Sequence, residues 1–103
     1  MNDKHDDVMA AKYRKNPTMA VELLNNVLES GKPGEFMVAL RLLAKAFGGV
    51  RGVAKEARLN PNQMYRTLSE HGNPELKTLT SILRAMGLGL AVRPLRKMVG
   101  KNA

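Results

Sequence analysis

VRGVAKEARLNPNQMYRTLSEHGNPELKTLTSILRAMGL, residues 50–88, is the stretch that decides the fold. It reads as three short helices separated by two compact breaks. Val53, Ala54 and Ala57 fall on one side of a first helix over about 50–57. Arg58-Leu59-Asn60 breaks it, and Pro61 opens a second helix, where its missing N–H has no partner to lose. Asn60 is suited to cap that helix, and Gln63 stands three residues on, as in a capping box. Met64, Tyr65 and Leu68 form the expected inward stripe, leaving Asn62, Gln63, Arg66 and Glu70 outward. Gly72-Asn73-Pro74 stops the helix, and Leu76, Leu79, Leu83 and Met86 line one face of a third.

Two helices joined by a turn of three or four residues form a helix-turn-helix when the second displays polar side chains. The displayed residues here are amides and an arginine. Asn and Gln pair bidentately with adenine in the major groove, and Arg with guanine. Asn62, Gln63 and Arg66, with Thr67 beside them, are therefore the candidates for base contacts. Arg51, Lys55, Arg58, Asn73, Lys77 and Thr78 are the candidates for phosphate contacts. The last two lie in a first helical turn, whose free N–H groups favour anions.

Working outward, the 103 residues suffice for one helical domain and not for two. The chain has no cysteine, which excludes disulfides and thiolate metal sites and fits a reducing cytoplasm. No apolar run approaches the roughly 20 residues a membrane helix needs, and the N-terminus lacks a secretion pattern. A soluble, cytoplasmic protein is expected. The net charge of +8 is uneven. Residues 1–35 hold five Lys/Arg and six Asp/Glu, net −1, and residues 36–103 hold twelve and three, net +9. A basic half behind a neutral leader implies a polyanion-binding face.

Residues 1–15 read as a polar, flexible leader, with Tyr13 placed either to pack or to meet a partner. Asn16-Pro17 opens a helix carrying Ala20, Leu23, Leu24, Val27 and Leu28, which Gly31 ends. Pro33 opens another, with Phe36, Leu40, Leu43, Ala44 and Phe47 on one stripe and Arg41 and Lys45 opposite; Gly48-Gly49 joins it to the quoted stretch. Residues 88–95, LGLAVRPL, alternate in the manner of a short strand that Pro94 confines to an edge. A lone strand leaves its backbone groups unpaired and calls for the same strand of a second subunit or a partner chain. Residues 96–103 form a basic tail.

Other chemistry finds little footing. Gly48-Gly49-Val50-Arg51-Gly52 lacks the ending of a phosphate loop. Met37, Met64 and Met86 read as core filler. His71, beside Gly72, is placed to cap carbonyls or meet phosphate. No metal site, cofactor site or catalytic constellation emerges, and an enzyme is not expected.

The run from Leu59-Asn60-Pro61 through Gly72-Asn73-Pro74, followed by Leu76, Thr78-Leu79 and Ala85-Met86-Gly87-Leu88, resembles the lambda-repressor-like (Cro-type) helix-turn-helix. Over about residues 13–95, with Asn16-Pro17, Phe36, Ala39-Leu40, Gly48-Gly49 and the final Leu-Ala-Val-Arg-Pro, the chain resembles HigA-like addiction-module antidote proteins. Two positions depart from the family pattern. Arg58 stands where Gly is usual, and Lys32 where an acidic cap is usual. The resemblance implies an all-α, five-helix domain over 16–95 with a short C-terminal β-strand, its motif at 50–71, supporting helix at 75–87 and strand at 88–95. So few base contacts call for a homodimer reading a palindromic operator in double-stranded DNA. The resemblance further implies neutralisation of a small RelE-like toxin ribonuclease, for which residues 1–35, the least basic part and outside the motif, are the candidate surface. A stand-alone regulator without a toxin, or an interaction adaptor whose helix-turn-helix is only structural, are the competing readings.

Overall fold

The computed structural model describes residues 3–95. Among them lie six helices: α1 (Asp3–Lys15), α2 (Pro17–Ser30), α3 (Pro33–Ala46), α4 (Gly49–Ala57), α5 (Pro61–Thr67) and α6 (Leu76–Ala85). The all-α class holds, with one helix more than the five expected. The basic tail, 96–103, lies outside the described residues.

Proline and glycine set most of the boundaries. Pro17, Pro33 and Pro61 each occupy a first helical position, where the fixed φ of proline matches the helix. Gly31 closes α2 in the left-handed conformation, its N–H donating to the Leu28 carbonyl at 3.2 Å. The Lys32 departure shows its cost at α3: its side chain caps nothing and lies 3.8 Å from Glu35 on the surface.

Helix α3 is the hub of the N-terminal half, packing on α1, α2 and α4; α4 in turn packs on α5 and α6. Phe36, Met37, Leu40, Leu43 and Ala44 of α3 meet Ala20 and Leu24 of α2, Val53 and Ala54 of α4, Met64 and Leu68, and Ile82, Leu83 and Met86 in one core. Apart from the Tyr13 hydroxyl, no buried residue among those described carries a polar side chain. All three methionines read as filler are buried there.

Four expectations are corrected. Residues 3–15 form a helix rather than a flexible leader. Ala10 and Tyr13 are buried, and the Arg14 Nε donates to the Ala46 carbonyl at 3.1 Å, fastening α1 to the end of α3. A mostly polar helix of this kind is stabilised by tertiary packing rather than by propensity. Residues 88–95 carry no strand among the described residues, because a strand needs a neighbour to complete its hydrogen bonds and one chain offers none. Tyr65 leaves the inward stripe at 38% exposed, with its ring 5.2 Å from the Arg41 guanidinium carbon. Leu76, at 70% exposed, is likewise outside the core; Ile82 takes its place in the buried face of α6.

Candidate nucleic-acid interface

Helix α5 is short, and both of its ends are chemically defined. The Asn60 Oδ1 accepts from the backbone N–H of Asn62 at 2.8 Å and of Gln63 at 3.3 Å, satisfying two donors the helix itself cannot. The expected helix to His71 stops at Thr67. Leu68 leaves helical geometry, and a separate turn follows in which the Gly72 N–H donates to the Ser69 carbonyl at 2.8 Å. Gly72 presses so closely on the Thr67 carbonyl that a Cβ there would overlap it.

Met64 and Leu68, both fully buried, pin α5 to the core. At 100° per residue that fixes the outward direction of positions 62, 63 and 66. Asn62, Gln63 and Arg66 are accordingly all exposed, and Thr67 is half-buried at the margin. A second anchor comes from α3. Gly34 in its first turn lies against the Glu70 carbonyl, where an added Cβ would stand 2.5 Å from the oxygen. The segment after α5 is thus seated on the N-terminal half.

The turn before α5 is a complete Schellman motif. The Leu59 N–H donates to the Ala54 carbonyl at 2.8 Å and the Arg58 N–H to the Lys55 carbonyl at 3.1 Å. Arg58 itself is left-handed, φ 60° and ψ 43°, the only non-glycine residue with positive φ among those described. Its side chain is exposed beside the start of α5.

Two hollows flank α5. On one side Gln63, Arg66 and Thr67 share a polar hollow with Asn73 and Thr78, bringing together three of the base candidates and two of the phosphate candidates. On the other, Arg51 and Lys55 line a hollow with Leu59 and Pro61. Asn62, Arg58 and Lys77 lie outside both, and all three are exposed. Lys77 and Thr78 occupy the first turn of α6, as expected.

Four further residues border the polar hollow: His71, which the sequence places to cap carbonyls or meet phosphate, Gly72 and Pro74 of the stop signal, and Glu75, which the sequence reading misses. Glu75 is the informative one. It precedes α6 as its N-cap, makes no side-chain cap bond, and adds an acid to a hollow whose other lining residues are basic or neutral. Its position before an apolar helical run was the signal available. His71 caps no carbonyl; its Nε2 lies 3.3 Å from the Glu70 carboxylate on the surface. Among the described residues there is no cluster of His, Asp or Glu that would hold a metal ion, and no helix long and apolar enough to cross a membrane.

These features define a small all-helical protein that presents a polar, cation-flanked helix from a rigid apolar core. Residues 4–94 match the family model described as probable addiction module antidote protein, and the chain belongs to that family. No curated protein and no solved structure shows a significant match.

Proposed function

We propose that the chain is the antitoxin of a toxin–antitoxin module, a cytoplasmic, non-enzymatic DNA-binding repressor with a lambda-repressor-like helix-turn-helix formed by α4 and α5. One observation carries the DNA reading. Asn62, Gln63 and Arg66 project from the face of α5 opposite Met64 and Leu68, with Asn73 and Thr78 in one hollow bordering the helix and Arg51 and Lys55 in another. Helix α5 enters the major groove, its amides and arginine meeting base edges. Arg51, Lys55, Arg58, Asn73, Lys77 and Thr78 hold the flanking phosphates. A seven-residue helix reads few bases, so affinity and specificity come from a two-fold dimer whose recognition helices lie about 34 Å apart on a palindromic operator.

Membership of the antidote family supports a toxin as second partner. We assign it to the small RelE-like ribonucleases and its contact surface to residues 1–35. That is the least basic part of the chain, and it contains α1 and α2, which pack on α3 and on each other. Binding both partners lets the complex repress its own operon.

Two experiments test this. The product of the neighbouring small reading frame is expressed alone and with this chain. Growth arrest relieved by co-expression, with co-purification of a stable complex, is the expected result; no arrest and no complex leaves a regulator without a toxin. For DNA, operator fragments are titrated across a salt series with two variants. Gln63→Ala relaxes preference at one base position and weakens the cognate site by about 1–3 kcal/mol. Lys77→Ala weakens all sequences alike and lowers the salt slope by about one. If neither variant changes binding to any sequence, the docking is wrong.

A further inference from the structure

The end of the described chain has a feature that one chain cannot use. After the Leu88 N–H donates to the Leu83 carbonyl at 2.8 Å, residues 89–95 run on with no helix, strand, turn or bend. No backbone hydrogen bond joins them to the rest of the described residues. Leu90, Val92 and Leu95 are exposed, Val92 completely. The Arg93 guanidinium lies 2.7 Å from the Glu29 carboxylate on α2 and ties the segment to that helix through a side chain.

We propose that residues 89–95 pair antiparallel with the same residues of a second copy of this chain, Val92 opposite Val92 across a two-fold axis. This interface deepens the dimer reading above and rests on it. Three observations select the occupant and the register.

The first is backbone parity. In an antiparallel pair each residue's N–H and C=O point to the same edge, and neighbours alternate. Pro94 has no N–H, so the edge shared by residues 90, 92 and 94 is incomplete. The edge of Gly89, Ala91, Arg93 and Leu95 is complete. Only with Val92 on the axis does every residue of that edge find a partner from the same set: 89 with 95, and 91 with 93.

The second is charge. The chain carries +8, so two copies repel over most of their surface. Residues 85–92, AMGLGLAV, form its longest run without a charged side chain, and Arg93 is already paired with Glu29. Two copies meet here with the least repulsion, and in this register Arg93 faces Ala91 rather than another arginine.

The third is continuity of apolar surface. Leu90 lines one hollow with Val21 and Leu28, both exposed on α2. Pairing in this register brings Leu90 and Val92 of both copies onto one face beside those residues, an isologous patch of the kind a two-fold dimer buries.

The chain has no cysteine, so a cross-link reports the register directly. Val92→Cys places two thiols at a non-hydrogen-bonded pair, with Cα atoms about 4.5 Å apart, within disulfide range. We expect mild oxidation of the full-length variant to give a disulfide dimer, and Ala91→Cys to give little, because it faces Arg93. Ala91→Pro removes a donor from the pairing edge in each copy without touching the core. It should weaken the dimer, read by sedimentation equilibrium, about tenfold or more. A monomeric parent chain overturns the proposal. So does a dimer that neither cross-links through Val92→Cys nor loosens with Ala91→Pro; in that case a dimeric DNA-binding protein survives with another interface. Pairing of this edge only with a different added protein also overturns it. None of these readouts depends on DNA, so failure here and failure of operator binding are separately visible.

Discussion

The ends of α4 and α6 are built alike and filled differently. Both close with a Schellman motif, in which the residue after the left-handed position donates back to a carbonyl five residues earlier, in each case at 2.8 Å. At α6 the left-handed position is Gly87, φ 77°; at α4 it is Arg58, φ 60°. A side chain with a Cβ is strained in that conformation by about 1–2 kcal/mol, and glycine is not. The two ends therefore separate what the backbone needs from what a side chain adds. Gly87 leads into the segment proposed to pair with a second copy, where no charge is wanted. Arg58 stands beside the start of α5, where a cation faces the proposed phosphates.

The comparison can be broken or sharpened by substitution. The largest effect should come from a glycine retained for space rather than for φ. Gly72→Ala drives a methyl into the Thr67 carbonyl and should cost about 3 kcal/mol in denaturant unfolding, with α5 displaced. A loss near zero would mean that the turn after α5 is not as close as described. Gly87→Ala comes next. The added Cβ meets nothing within 4 Å, so the cost of about 1 kcal/mol is conformational alone. Arg58→Gly is the mirror experiment, with a gain of about 0.5–1 kcal/mol after the greater freedom of glycine in the unfolded chain is discounted. In the same variant, operator binding should weaken and its salt slope should fall by about one. A more stable protein with unchanged binding would show that Arg58 is strain without a use.

How far the sequence reveals this arrangement depends on where each signal is stored. Boundaries marked by Asn60-Pro61, Pro33, Asn16-Pro17 and Gly31 are local, and they are legible. So is the outward face of α5, because the burial of Met64 and Leu68 dictates where Asn62, Gln63 and Arg66 point. Arg58 could be recognised as a strained position, but not which way the chain would resolve it. Helix α1 was hidden because, among its described side chains, only Ala10 and Tyr13 are buried in the core, too few for a clear period. Tyr65 directly follows the buried Met64, and its place beside Arg41 of α3 depends on how two distant helices cross. The same holds for the hollow that joins Gln63, Arg66 and Thr67 to Asn73 and Thr78. The strand pattern at 88–95 is real in the sequence, but its fulfilment requires a second backbone.

The core described above has a practical corollary. Its buried residues are apolar, and the ion pairs Lys32–Glu35 and Arg93–Glu29 lie at least partly in solvent. Salt screens such pairs, each worth about 1 kcal/mol or less, but not the burial of hydrocarbon. Contacts with phosphate, by contrast, dissolve as ionic strength rises. Strong brine should therefore strip the proposed DNA partner from this protein while leaving it folded, and dilution should restore the proposed complex without any refolding step.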